Sequence, residues 1–202
     1  MNQPPLKPRI VILGDTLATA AGDPKGMGWV GRVTAKTTAA DPQAEVFTLA
    51  SPNETSATLG ARWTAEVQLR FSPDTDNRLV IALPNTDAIA GISTSRSRLN
   101  LATILDECRS AGVPTFVIGP VPSRNPALNR DIEHLASGFE DVCARRGVYF
   151  VDCFRPLVDH EGFKNELLQS PSGHPGQLGY GLMAWLVLNR GWFEWLGLEE
   201  VE

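Results

Sequence analysis

The stretch Arg9-Ile-Val-Ile-Leu13, closed by Gly14-Asp15, decides the fold. A short apolar run that stops at such a turn is typical of a strand buried inside a sheet. Similar runs recur along the chain, and each of them predicts a further strand. They lie at residues 45–50, 78–83, 114–119 and 147–151.

Helical patterns separate these runs. Apolar residues recur every three or four positions, most clearly at residues 101–108 and 128–142. Strands that alternate with helices indicate right-handed crossovers and a parallel sheet covered on both faces. We therefore predict an α/β fold, a three-layer αβα sandwich around a flavodoxin-like five-stranded parallel sheet. One domain over residues 1–202, with an ordered core at about 8–196, fits the chain length.

Composition and charge exclude several classes of protein. The net charge of −5 offers no basic surface for nucleic acid. No apolar stretch reaches membrane-spanning length, and the run at residues 10–13 is too short for a signal peptide. Cys108, Cys143 and Cys153 are odd in number and lack CxxC spacing, which predicts no disulfide framework, no metal site and a cytoplasmic location. No cofactor is predicted.

Ligands of such sheets bind beyond the carboxyl ends of the strands, so the loops there hold the candidate site. Thr16 follows the first strand and is either a nucleophile or a helix cap. His174 lies in the Gly/Pro turn 172–176 and is a better catalytic candidate than His134 on a helix surface or His160 in a charged turn.

Two other features have structural interpretations. The segment 26–31 matches GxGxxG but lies a dozen residues after the first strand, which indicates a turn before a helix that starts near Trp29. Trp185, Trp192 and Trp195 in the terminal segment fit packing against the sheet or against a partner subunit, and we favour the core interpretation.

Taken in order, the loops resemble the conserved blocks of the SGNH (GDSL-like) hydrolases, a family of esterases, lipases, thioesterases and carbohydrate acetyl-esterases. Gly14-Asp15-Thr16-Leu17 is similar to Gly-Asp-Ser-Leu, whose serine is the nucleophile. The segment 53–56, Asn-Glu-Thr-Ser, resembles a block that begins with a glycine of the oxyanion hole. Pro84-Asn-Thr-Asp87 resembles Gly-x-Asn-Asp, whose asparagine is the other oxyanion donor, and residues 171–175 resemble Asp-x-x-His-Pro.

The resemblance implies a set of site residues and shows where the chain departs from the family. It implies catalytic roles for Thr16 and His174, with Pro171 where the family has its orienting aspartate. It implies oxyanion or binding roles for positions 53 and 86, with Asn85 displaced by one. Of five functional positions only the histidine matches the family. Asparagine at position 53 tolerates a glycine's backbone conformation, whereas proline cannot orient an imidazole.

Three hypotheses about function follow. The first is a degenerate hydrolase with weak or no esterase activity, which binds a small acyl or ester ligand or acts as a scaffold. The alternative is an active ester hydrolase or acyltransferase with a Thr16–His174 dyad and a carboxylate recruited from Asp152, Asp159 or Glu166. A third, based on fold and on the segment 26–31, is a cofactor-binding module. A homodimer is left open.

Overall fold

The apolar run at residues 9–13 forms β1 (Pro8–Gly14), which pairs in parallel with a neighbour on each side. The computed structural model describes residues 6–39 and 43–199. Within them, five strands form one parallel sheet in the order β2-β1-β3-β4-β5. The other strands are β2 (Glu45–Ala50), β3 (Asp76–Ala82), β4 (Thr115–Ile118) and β5 (Tyr149–Val151). The predicted α/β sandwich is confirmed, and each strand end lies within two residues of its predicted position.

Helices connect the strands and cover both faces of the sheet. The longer helices are α1 (Gly28–Thr37), α2 (Ser56–Gln68), α4 (Thr94–Ser110), α5 (Pro126–Ala144), α7 (Glu161–Gln169) and α8 (Gln177–Val187). Three single turns are α3 (Thr86–Ile89), α6 (Arg155–Val158) and α9 (Phe193–Leu196), and a π-helical turn, Leu188–Trp192, joins α8 to α9.

Two hydrophobic cores lie on opposite faces of the sheet because side chains alternate along each strand. Ile10 and Ile12 of β1 point into the core closed by α1 and α8. Val11 and Leu13 point into the core closed by α2, α4 and α5. All four side chains are almost completely buried, which explains why the strand appears in the sequence as an unbroken apolar run.

The segment 26–31 forms a turn that leads into α1, as the sequence indicated. Gly26 and Gly28 both have positive φ, at 64° and 54°. A Cβ on Gly28 would come within 2.7 Å of the Ala20 Cβ, so this position requires glycine for space as well as conformation. The glycines therefore have a structural explanation, and the cofactor-binding hypothesis loses its sequence support.

The C-terminal tryptophans divide between core and surface. Trp192 and Trp195 are buried, with ring centroids 5.3 and 5.2 Å from that of Phe116. The Trp192 indole also donates a 2.9 Å hydrogen bond to Thr37. Trp185, in contrast, is 58% exposed, so its assignment to the core was wrong. The reason is that α8 buries its other face, which includes Tyr180, against the sheet.

Candidate active site

The loops at the carboxyl edge of the sheet enclose a cavity of about 220 Å³ with the segment that precedes α8. All five residues with implied catalytic or oxyanion roles line this cavity: Thr16, Asn53, Asn85, Thr86 and His174. Pro171 is exposed and is not one of the lining residues. The structure thus brings together side chains that are as much as 158 positions apart in the sequence.

Thr16 opens a single 3₁₀ turn directly after β1. The cap of this turn is Asp15, whose carboxylate accepts the Leu17 N–H at 3.0 Å. The Thr16 hydroxyl is therefore not used as a cap, and it has no hydrogen-bond partner within the described part of the chain. Of the two alternatives that the sequence left open, capping belongs to the neighbouring aspartate.

Asn53 has a left-handed backbone conformation, with φ of 56°, which glycine adopts without strain. Its loop is fixed by Glu54, which is 1% exposed. The Glu54 carboxylate accepts hydrogen bonds of 2.7 Å from both Thr58 and Arg62. Asparagine thus adopts a backbone conformation typical of glycine at this position, as expected from its tolerance of positive φ.

The third loop is held to the second by a buried carboxylate. Asp87 accepts hydrogen bonds from the Ser56 backbone N–H at 2.8 Å and from its hydroxyl at 2.5 Å. Asn100 donates to the same hydroxyl at 2.9 Å. Asn85 turns its amide to the Val121 carbonyl at 3.2 Å, so this amide is partly committed to the scaffold.

The segment that bears His174 is fixed through its backbone. The His174 N–H donates to the Ser170 hydroxyl at 3.2 Å. Arg124 donates through Nη1 to the Ser170 carbonyl at 3.2 Å and to the Pro171 carbonyl at 3.4 Å. The imidazole itself has no hydrogen-bond partner among residues 6–39 and 43–199, and the Thr16 hydroxyl is not bonded to it.

None of the three carboxylates considered for recruitment is hydrogen-bonded to His174. Glu166 instead accepts three backbone N–H groups at the start of α8, at 2.7 to 2.9 Å. Asp152 accepts the backbone N–H groups of Phe154 and Arg155. Asp159 lines an adjoining cavity. The carboxylate oxygens of Glu166 and Asp152 thus bind local backbone donors in this structure.

Asp15 is the carboxylate that His174 influences electrostatically. Burial raises the pKa of Asp15 above its ordinary value of 3.8, while the Leu17 N–H and the charge of His174 act in the opposite direction. The Asp15 carboxylate accepts the Leu17 N–H and makes no hydrogen bond to the His174 imidazole. The interaction between the two side chains is therefore purely electrostatic and does not fix a tautomer of the imidazole. The imidazole is therefore not oriented by this carboxylate.

The sequence interpretation missed Ser123 and Arg124, which also line the cavity. They belong to the loop after β4, one of the five edge loops that the sequence identified. Their place in an edge loop was the only feature of the sequence that could have pointed to them, because no block of the resembled family falls on Ser123 or Arg124.

The structure also bears on metals and membranes within the residues that it describes. No group of three or more His, Cys, Asp or Glu side chains there is arranged to hold a metal ion. None of the helices described is both long and apolar enough to cross a membrane.

The sheet order and the edge cavity together define a flavodoxin-like α/β protein with a pocket at the carboxyl edge of its sheet. The sequence profile of the GDSL-like lipase/acylhydrolase family matches residues 12–182. The chain therefore belongs to this family. No curated protein sequence matches it.

Solved structures of family hydrolases share the fold along nearly the whole chain. A lipase/acylhydrolase from Enterococcus faecalis has a TM-score of 0.74 at 22% identity, covering 96% of this chain and 99% of its own. The psychrotrophic esterase EstA from Pseudoalteromonas sp. has a TM-score of 0.70 at 21% identity, covering 94% and 98%. The acetylxylan esterase Axe2 from Geobacillus stearothermophilus has a TM-score of 0.66 at 14% identity, covering 98% of each chain. At these identities the likeness concerns the fold.

Proposed function

We propose that the cavity at Thr16 and His174 binds a small ester or acyl ligand and that the chain hydrolyses esters weakly or not at all. The observation that carries this proposal is the His174 imidazole, which contacts neither a carboxylate nor the Thr16 hydroxyl by hydrogen bond within the described residues. A general base that is not coupled to its nucleophile cannot remove the hydroxyl proton efficiently.

The expected losses of rate are large. Absence of the orienting carboxylate in a serine triad costs on the order of 10,000-fold. Replacement of a side-chain oxyanion donor, as at Thr86, costs roughly 100- to 1,000-fold. These penalties do not multiply, because the groups act as a unit, but together they leave little triad catalysis.

Hydrolysis of p-nitrophenyl acetate by the purified protein tests this proposal. We expect a rate close to that of the uncatalysed reaction, and a Thr16→Ala variant that hydrolyses the ester no more slowly than the wild type. Turnover at ordinary esterase rates, of about 1 s⁻¹ or more, would contradict the proposal. Binding is measured separately, by the effect of ester ligands on the NMR signals of His174.

A second candidate function is slow ester hydrolysis or acyl transfer through a Thr16–His174 dyad. It is supported by the shared cavity and by the left-handed backbone at Asn53, a conformation open to a glycine at the same position. The Thr16→Ala variant separates the two candidates, because dyad catalysis requires this hydroxyl and a binding protein does not.

We also propose that the protein is cytoplasmic and that residues 1–202 form a single domain. Whether the chain forms a homodimer is a separate question. The cytoplasm is supported by three cysteines that are buried and free. Analytical ultracentrifugation of the purified chain decides between monomer and dimer.

A further inference from the structure

Arg124 lies where two cavities meet. It lines the cavity of about 220 Å³ that contains Thr16 and His174, and it also lines a neighbouring cavity of about 280 Å³. Pro122, Ser123 and Leu167 are shared by both walls. A ligand that fills the first cavity and extends into the second therefore passes the Arg124 side chain.

The Arg124 guanidinium is held in place by hydrogen bonds that occupy only part of its N–H donors. Its Nη1 donates to the carbonyls of Ser170 and Pro171, which fixes the orientation of the plane. A Cβ on Gly173, which has φ of 71°, would lie 3.2 Å from the Arg124 Nε, so glycine at this position lets the guanidinium lie against the backbone. Nε and Nη2 have no acceptor within residues 6–39 and 43–199, and Arg124 forms no ion pair there.

The surroundings favour a singly charged group with an apolar spacer. Pro122, Pro126, Val158, Leu167 and Leu168 supply most of the wall of the second cavity, which suits methylene groups. Lys164 and Asp159 also line that cavity and carry opposite charges, so they offset each other. Asp15 lines the first cavity together with Arg124, but its carboxylate accepts the Leu17 N–H, whereas the planar N–H groups of Arg124 that remain free match the two oxygens of a carboxylate.

We propose that Arg124 is a specificity-determining residue that binds a free carboxylate of the ligand. The ligand class is then the monoester of an aliphatic dicarboxylic acid, with the ester group in the cavity at Thr16 and the carboxylate on the guanidinium. This inference rests on the proposed function, since it requires that the cavity hold an ester.

The test compares two esters of equal shape. The probes are monoethyl glutarate and its neutral isostere, ethyl 5-methylhexanoate, bound to the Thr16→Ala variant so that the ester remains intact. The measurement is the dissociation constant from chemical-shift titration of His174. We expect the anionic ester to bind about tenfold more tightly, because a hydrogen-bonded ion pair at an exposed arginine contributes this much. Addition of Arg124→Gln removes the preference, and Arg124→Lys retains part of it.

The matched control is Arg130→Gln, which removes an equal charge from an exposed position on α5 outside both cavities. We expect it to keep the preference. The decisive quantity is the ratio of the dissociation constants of the two esters. A loosened His174 segment would weaken the binding of both esters alike and leave this ratio unchanged.

The outcomes separate this inference from the proposed function. Equal binding of the two esters, or a preference that survives Arg124→Gln, overturns the role of Arg124 and leaves the ester-binding cavity in place. Binding of neither ester overturns both. A preference that depends on Arg124 in a wild-type protein with ordinary esterase turnover supports the inference and contradicts only the claim of weak activity.

Discussion

At the scale of single residues, the four departures from the family differ in what they remove. Asn53 has a positive φ, a backbone conformation that glycine adopts freely and that asparagine tolerates. Thr16 keeps a hydroxyl but adds a methyl group that restricts its rotamers. Thr86 exchanges an amide donor for a shorter hydroxyl, and Pro171 removes a carboxylate entirely. The side-chain chemistry therefore differs from that of the resembled blocks at three of the four positions.

Restoration of those three groups tests this distribution. We expect the variant Thr16→Ser/Thr86→Asn/Pro171→Asp to hydrolyse p-nitrophenyl acetate at least about 100-fold faster than the wild type, because an orienting carboxylate and an oxyanion donor return together. The control replaces Pro171→Asp by Ser172→Asp, which places the carboxylate one residue out of position. Equal rates for the two variants would show that position 171 does not face the imidazole.

At the scale of elements, the junction between α7 and α8 decides where His174 lies. Glu166 in α7 accepts the N–H groups of Gly176, Leu178 and Gly179, which are otherwise unpaired donors of the first turn of α8. The carboxylate also complements the positive end of the helix dipole. The histidine segment is thus tied to the scaffold on its C-terminal side by one side chain.

Substitution of Glu166 measures the strength of this tie. Glu166→Ala leaves three backbone donors without their acceptor, and we expect the free energy of unfolding to fall by about 1–3 kcal/mol. Urea denaturation gives the value. The control is Glu133→Ala on the exposed face of α5, with an expected change within about 0.5 kcal/mol. Similar losses for the two variants would mean that water replaces the carboxylate at no cost.

At the scale of the whole molecule, the sheet was predictable and the ties between its loops were not. Strands such as β1 are buried on both faces, so their local sequence identifies them without knowledge of their neighbours. The hydrogen-bond partners of Glu166 and Arg124 depend on which loops lie next to each other at the sheet edge. No local sequence pattern predicts this arrangement of loops. Trp185 was misassigned for a related reason, because the helix pattern does not say which face of α8 turns inward.

The pH dependence of the free energy of unfolding is a property of the whole molecule. The lowered pKa of Asp23 fixes the direction of this residue's contribution to it. Burial raises the pKa of Asp23, but hydrogen bonds from Arg32, Lys25 and Gly28 outweigh it and hold the pKa below its ordinary value of 3.8. A carboxyl with a lowered pKa stabilises the fold above 3.8, and this contribution is lost as the pH falls through the folded-state value.

We therefore expect Asp23→Asn to be less stable than the wild type at neutral pH, by about 1–3 kcal/mol. The difference narrows as the pH drops below 3.8. Denaturation curves for both proteins across this range provide the check. Asp15→Asn serves as a comparison of opposite sign, because burial raises the pKa of Asp15, and its charged form costs stability as the pH rises. A difference at Asp23 that does not vary with pH would contradict the assignment.

Glu54, Asp87 and Glu166 fasten the edge loops, yet none of them lines the cavity at Thr16. Selection for a folded chain therefore preserves the shape of the cavity whether or not any reaction occurs in it. Lining residues whose side chains make no such tie, such as Thr16 and Thr86, can be exchanged without loosening the loops, whereas Asp15, Asn85 and Arg124 both line the cavity and hold loops in place. A lineage with this architecture can lose one chemistry and acquire another by a few substitutions, starting each time from a formed pocket.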